Sequence, residues 1–311
     1  MISAKSYIKA TSMDNAISLA EKHAGIFRYI AGGTDVMVNK FQGNDDASLL
    51  IDISEIAELK EIYVTENFLL IGALVCLDDL KKHRFIARNF PMLIEAANSV
   101  ASPTIRKTAT IGGNLLCENR CLFYNQSELW REAAGSCLKC NGKICLASGG
   151  KKSCYSKCVS DTAIALISVN AQIHVFDSED ISLKPLESIY TGDGIHPRDL
   201  KMTAILSSIS IPRNENLRSV FKKLRKRETL DFTSLTTAVS LTKTGKIRIV
   251  LGGVHAKPVI VDGFTGNDLN LLISEAISNT RIVDNDTYSR AYRKEMIAVF
   301  LNQSFKELQL I

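Results

Sequence analysis

Seven of the chain's eight cysteines lie between Cys117 and Cys158, in the stretch GGNLLCENRCLFYNQSELWREAAGSCLKCNGKICLASGGKKSCYSKC. Such crowding of sulfur into one loop of a 311-residue chain raises the question of what that loop holds. The start of the chain, MISAKSYIKATSMD, has no continuous apolar run of signal-peptide type, and no apolar run approaches the ~20 residues of a membrane helix. A cytoplasmic protein with no membrane partner is expected. Cytosolic thiols stay reduced, so the cluster points to metal or redox chemistry rather than a disulfide framework.

Apolar residues make up 46% and charged residues 23%, as in ordinary globular proteins. The net charge of +5 is spread out, apart from a run at Lys222, Lys223, Arg225, Lys226 and Arg227. That run reads as a solvated face. It lacks the stacking aromatics of a nucleic-acid platform, so no nucleic-acid partner is expected.

Local patterns divide the rest. SMDNAISLAEKHAG puts Met13, Ala16, Ile17 and Ala20 on one helical stripe, with Ser12 as N-cap and Gly25 as the stop. RYIA, SLLIDI, FLLIGA and AQIHVF read as strands. PMLIEAANSVA reads as a helix with Pro91 at its first position, and SDTAIALISVN as a helix capped by Ser160. Thr108 to Ile111 reads as a strand. Pro212-Arg213-Asn214-Glu215-Asn216 marks a boundary. Beyond it, a hairpin turning at Thr244-Gly245 precedes helices near 267–278 and 285–302. The expected fold is α+β: an α/β region over 1–212 and a smaller α+β domain over 213–311.

AGGTD (Ala31 to Asp35) and TIGGN (Thr110 to Asn114) share a layout, in which an apolar strand enters Gly-Gly and a small polar residue follows. Glycine allows positive φ and close approach of backbone to ligand, and consecutive N–H groups can converge on a phosphate. Neither stretch is a Walker or G-x-G-x-x-G motif. One such pair is usually only a turn; two flanked alike leave open both plain turns and a grip on the two phosphates of a dinucleotide. The cysteines at 117, 121, 137, 140, 145, 154 and 158 leave two chemistries open. Cys137/Cys140 and Cys154/Cys158 have the spacing of zinc knuckles, and an iron–sulfur cluster also takes four thiolates. Cys76 reads as a small core residue.

AGGTDVMV, SPTIRKTATIGGNLL, SDTAIALI and FKKLRKRETLDF resemble the FAD-binding subunits of molybdenum hydroxylases, a family that includes xanthine dehydrogenases and carbon monoxide dehydrogenases. The resemblance covers almost the whole chain. It implies a two-lobed FAD-binding domain of the vanillyl-alcohol-oxidase type, followed by a domain like the C-terminal one of carbon monoxide dehydrogenase flavoproteins. It implies FAD contacts from Ile30, Ala31, Gly32, Gly33, Thr34, Asp35 and Val36, and from Thr110, Ile111, Gly112, Gly113 and Asn114. Asp161 matches an acidic residue beside the cofactor; read by itself, it is equally part of a Ser160-Asp161 helix cap. Lys223 matches a position near the flavin; read by itself, it is a solvated strand residue.

RCLFYNQSELWR and the C-x15-C-x7-C-x8-C spacing resemble the β subunit of 4-hydroxybenzoyl-CoA reductases, whose insertion carries a [4Fe–4S] cluster. By that resemblance Cys121, Cys137, Cys145 and Cys154 are the ligands. Cys117, Cys140 and Cys158 are then spare, and Cys140 or Cys158 is able to take a ligand's place. The implied protein is an electron-transfer subunit. Its implied partners are a molybdopterin-containing large subunit, a [2Fe–2S] small subunit and a ferredoxin-like electron partner. The implied reaction is reductive dehydroxylation of an aromatic acyl-CoA. Two alternatives are an NAD-linked xanthine-type dehydrogenase subunit and a zinc-stapled module without flavin. Val159-Ser160-Asp161 departs from the reductase pattern Ser-Gly-Asp, and Thr104 from a common glutamine.

Overall fold

The computed structural model describes residues 6–178, 180–213 and 216–311, whose strands gather into three sheets. The first is parallel, in the order β1 (Ser6–Lys9), β3 (Leu49–Asp52), β2 (Phe27–Ile30). Parallel neighbours need crossovers. Helix α1 (Met13–Lys22) supplies one, and α2 (Val36–Phe41) lies on the path from β2 to β3. Ser12 caps α1 by accepting from the Asn15 N–H at 3.1 Å, and Ala16, Ile17 and Ala20 are its buried stripe. The helix ends at Lys22 with His23 as its cap; Gly25, at φ +82°, belongs to the following turn.

The second sheet is antiparallel, in the order β4 (Ile62–Val64), β5 (Phe68–Gly72), β8 (Ile205–Pro212), β6 (Gln172–Phe176), β7 (Ile181–Pro185). Between β5 and β6 the chain forms α3 (Arg84–Asn89), α4 (Pro91–Asn98), α5 (Pro103–Arg106), α6 (Ile111–Leu115), α7 (Glu128–Ala134) and α8 (Asp161–Ser168). Helix α8 is buried along its full length. That suits its mostly apolar sequence, since a helix apolar all round belongs inside. It packs against α4 and reaches Ala238 and Val250 of the third sheet.

The third sheet is an antiparallel meander, β9 (Arg218–Leu224), β10 (Leu235–Leu241), β11 (Lys246–Gly252) and β12 (Val259–Phe264). Gly245, at φ +80°, makes the hairpin turn expected there. Helices α9 (Leu269–Ser278) and α10 (Arg290–Glu307) cover this sheet, with Ile297, Leu301 and Phe305 buried under α10.

Several expectations need correcting. Thr108 to Ile111 is not a strand: only Thr110 makes an isolated bridge, to Cys76, and Ile111 begins a helix. The Thr110 hydroxyl accepts from the Gly113 N–H at 3.1 Å and so caps that helix, which outweighs the β-leaning run before it. Cys76 is half-buried rather than in the core. The last helix starts at 290, not 285, because Asn285 and Asp286 are tied to other segments and Ser289 provides the cap. Strand β8 ends at Pro212 and β9 begins at Arg218 in another sheet; Asn214 and Glu215 of the expected boundary lie outside the described residues.

Candidate functional site

The two glycine pairs come side by side but are not equivalent. The first lies in the turn between β2 and α2, flanked by Ile30 and Val36. A Cβ on Gly32 would stand 1.8 Å from the Thr108 carbonyl oxygen, so only glycine lets this loop lie on the backbone leading to the second pair. Gly33 has φ +69°. Among the described residues, the backbone N–H groups of Gly32, Gly33, Thr34 and Asp35 donate to no protein acceptor. Four adjacent donors, three of them on partly buried residues and one on exposed Thr34, are left available to an anion such as a flavin-nucleotide phosphate.

The second pair spends its amides internally. Ile111 N–H donates to Val75 and Gly112 N–H to Ala73, while Gly113 and Asn114 bond to Thr110. A Cβ on Gly112 would meet Ala73 at 2.7 Å, so this glycine serves packing. Gly113 is exposed beside it. The Asn114 side-chain oxygen accepts from the Ser160 and Thr162 hydroxyls at 2.9 and 2.6 Å, leaving its NH₂ without a protein partner among the described residues. The expectation of two matching nests is corrected here. One loop presents amides, and the other presents a bare glycine and a side-chain amide.

Asp161 and Lys223, singled out separately, form one ion pair at 2.6 Å with side chains 3% and 5% exposed. Asp161 also accepts from the Thr236 hydroxyl at 2.8 Å, and Lys223 donates to the Ser99 carbonyl at 2.9 Å. Ser160 alone caps α8, accepting from the Ala163 N–H. The reading of Lys223 as a solvated residue is therefore corrected: its neighbours in the basic run also find partners, Lys222 on Glu307 and Arg225 on Ser99.

Cys121, Cys137, Cys145 and Cys154 are all buried, whereas Cys117 and Cys140 are only partly so, and Cys158 sits in the main core. Cys121 and Cys145 share a small cluster with Tyr124, Ala147 and Val283. The four fall within 34 residues of chain. Among the described residues, no three His, Cys, Asp or Glu side chains converge as a ready grip on a metal ion. As a donor set, four soft thiols shielded from water suit iron–sulfur or zinc. Burial pushes the Cys121 thiol up to about 11 and raises that of Cys154. A hydrogen bond from Cys140 pulls the Cys137 thiol down to about 6.

Residues that sequence reasoning passed over join the two regions. Asp35, at the end of the first glycine loop, pairs with buried Arg120 and accepts from the Glu118 N–H at 3.1 Å. The Glu118 carboxylate holds Lys139 at 2.7 Å, and Lys139 lies 4.6 Å from the centre of the Tyr124 ring. Arg131 donates to the carbonyls of Gln42, Gly43 and Gln126 at 2.6–3.1 Å, fastening α7 to the end of α2. Arg120 stands directly before Cys121, but nothing in the sequence pairs it with a residue 85 positions earlier.

This fold is shared with solved oxidoreductases. Carbon monoxide dehydrogenase from Hydrogenophaga pseudoflava superposes with a TM-score of 0.78 at 19% identity, covering 98% of this chain and 97% of that one. Quinoline 2-oxidoreductase from Pseudomonas putida 86 gives 0.74 at 18%, covering 99% and 97%. In sequence, the chain is 24% identical over 290 residues to the xanthine dehydrogenase FAD-binding subunit of Escherichia coli O157:H7, spanning 90% of this chain and 85% of the relative. It is 42% identical over 86 residues to the nicotinate dehydrogenase FAD-subunit of Eubacterium barkeri, 28% and 29% of the two chains. A family model described as the FAD binding domain in molybdopterin dehydrogenase matches residues 2–214. These similarities define a flavoprotein component of an oxidoreductase. The chain belongs to the family of FAD-binding subunits of molybdenum hydroxylases. No helix among the described residues is long and apolar enough to cross a membrane.

Proposed function

We propose that this subunit carries electrons between two centres, an FAD held over the glycine loops and a [4Fe–4S] cluster held by Cys121, Cys137, Cys145 and Cys154. The domains are 1–212, with the cluster segment inserted at about 117–158, and 213–311. Bound FAD supplies two-electron chemistry and the cluster moves electrons singly. The chain's own part is to place and shield both. The observation that carries the reading is the row of free amides at Gly32 to Asp35, joined through Asp35 to the segment that leads into Cys121. Thr110, Ile111, Gly112, Gly113 and Asn114 line the other side of the cofactor. The Asp161–Lys223 pair presents a fixed buried charge pair beside it.

The partners are a molybdopterin-containing large subunit and a [2Fe–2S] small subunit, with a ferredoxin-like protein exchanging electrons at the insertion. The complex acts in the cytoplasm. The cysteine spacing supports an aromatic acyl-CoA as substrate, reductively dehydroxylated. A second reading, dehydrogenation of an N-heterocycle with NAD as the flavin's partner, is favoured by the relatives named for xanthine and nicotinate. The native complex, purified anaerobically, decides between them by mass identification of its chains and by flavin reduction. Reduction by ferredoxin and reoxidation by a hydroxylated aromatic acyl-CoA is expected. Rapid reduction by NADH with no response to ferredoxin would establish the heterocycle reading instead.

A further inference from the structure

Resting on the reading just given, we infer that Arg120 is a positioning residue that couples flavin binding to loading of the cysteine segment. Asp35 is the only carboxylate in the glycine loop, and both of its oxygens are engaged. One faces Arg120; the other accepts from Glu118 N–H and from the Asn39 side-chain amide, each at 3.1 Å. The loop with the free amides is therefore held by residues 118 and 120, not by its own strand and helix alone.

Arg120 is held just as firmly from the other side. Its backbone exchanges both hydrogen bonds with Lys157, at 3.0 and 2.8 Å, so the two ends of the cysteine segment are joined at this residue. Its guanidinium lies 4.7 Å from the centre of the Phe232 ring, and its Nε is buried without a partner among the described residues. A buried donor left unsatisfied is costly, and among the described residues Arg120 has only Asp35 as its ionic partner. Cys121 follows directly in the chain. A cluster on Cys121 adds a further tether one residue from Arg120, and the Asp35 pair links that residue to the loop amides. By linkage, each ligand then tightens the other.

The test measures FAD dissociation constants for the full chain, iron-loaded and after anaerobic iron chelation. The expected result is affinity about tenfold weaker in the iron-free protein. Arg120→Gln weakens FAD binding similarly and abolishes the further effect of iron removal, while Arg120→Lys restores part of the coupling. Asp35→Asn, with a partly exposed side chain, repeats the Arg120→Gln result from the other partner and keeps the test open where Arg120 variants fold poorly. Equal FAD affinity with and without iron, in a chain that holds both, overturns the coupling and leaves the proposed function standing. Full additivity of iron removal and Asp35→Asn overturns it as well. A chain that never holds iron overturns both.

Discussion

At the scale of single residues, glycines that look alike in sequence do different work. A methyl on Gly32 collides with backbone, which cannot rotate away, whereas one on Gly113 meets only the Thr110 hydroxyl at 2.9 Å. Gly32→Ala should therefore cost about 1–3 kcal/mol of stability and most of the FAD. Gly113→Ala should retain the fold but disturb the Thr110 cap, at a cost of about 1 kcal/mol that melting temperature will report. A second residue-scale prediction concerns Lys157 and Asp286, whose side chains are 8% and 2% exposed. Removing one partner of a buried pair leaves a stranded charge, so Asp286→Asn should cost about 3–5 kcal/mol in denaturant unfolding. Burial works to raise the Asp286 carboxyl, but the charge and hydrogen bond of Lys157 outweigh it and hold it below the usual carboxylate range. Its stabilisation is complete above the unfolded-state carboxylate value and is lost as pH falls through the lower folded one. The acid limb of a stability–pH curve should flatten in Asp286→Asn.

At the scale of elements, α8 is the joint of the molecule. It is buried against α4 and the third sheet, and its N-terminus meets the second glycine loop through Ser160, Thr162 and Asn114. Ser160→Ala removes a cap and one bond to Asn114 together. A loss of about 1 kcal/mol is expected from the cap, with weaker FAD binding because Asn114 is then held by the Thr162 hydroxyl alone. Elements with local start or stop signals were legible in sequence, whereas β1, β4, β7, β8, β9 and β12 and the helices α2, α3, α5 and α7 were not. Ser12, Pro91 and Ser160 announced their helices, and Thr244-Gly245 its hairpin, because those signals are local. The short helix after Thr110 was missed because an apolar run before Gly-Gly reads as a strand until the hydroxyl is seen to cap. The pairings of the site were not legible at all. Asp161 and Lys223 are 62 residues apart, Asp35 and Arg120 are 85, and no period in the chain encodes a contact at that range.

At the scale of the whole molecule, three sheets and the segment from Cys117 to Cys158 bring a row of free loop amides and four buried cysteines into one chain. Residue type alone singled out both stretches, while flavin and the four-cysteine ligand set came only with the family resemblance. The two features are separable by mutation. Cys121→Ser or Cys145→Ser should strip the iron while FAD stays bound more weakly, as metal and flavin analysis of the purified variants will show. The most direct measurement is the iron and flavin content of the wild-type chain purified without oxygen. Stoichiometric FAD together with the iron of one [4Fe–4S] cluster is predicted, with a brown colour. A chain that is colourless, or yellow with no iron, would contradict the two-centre reading.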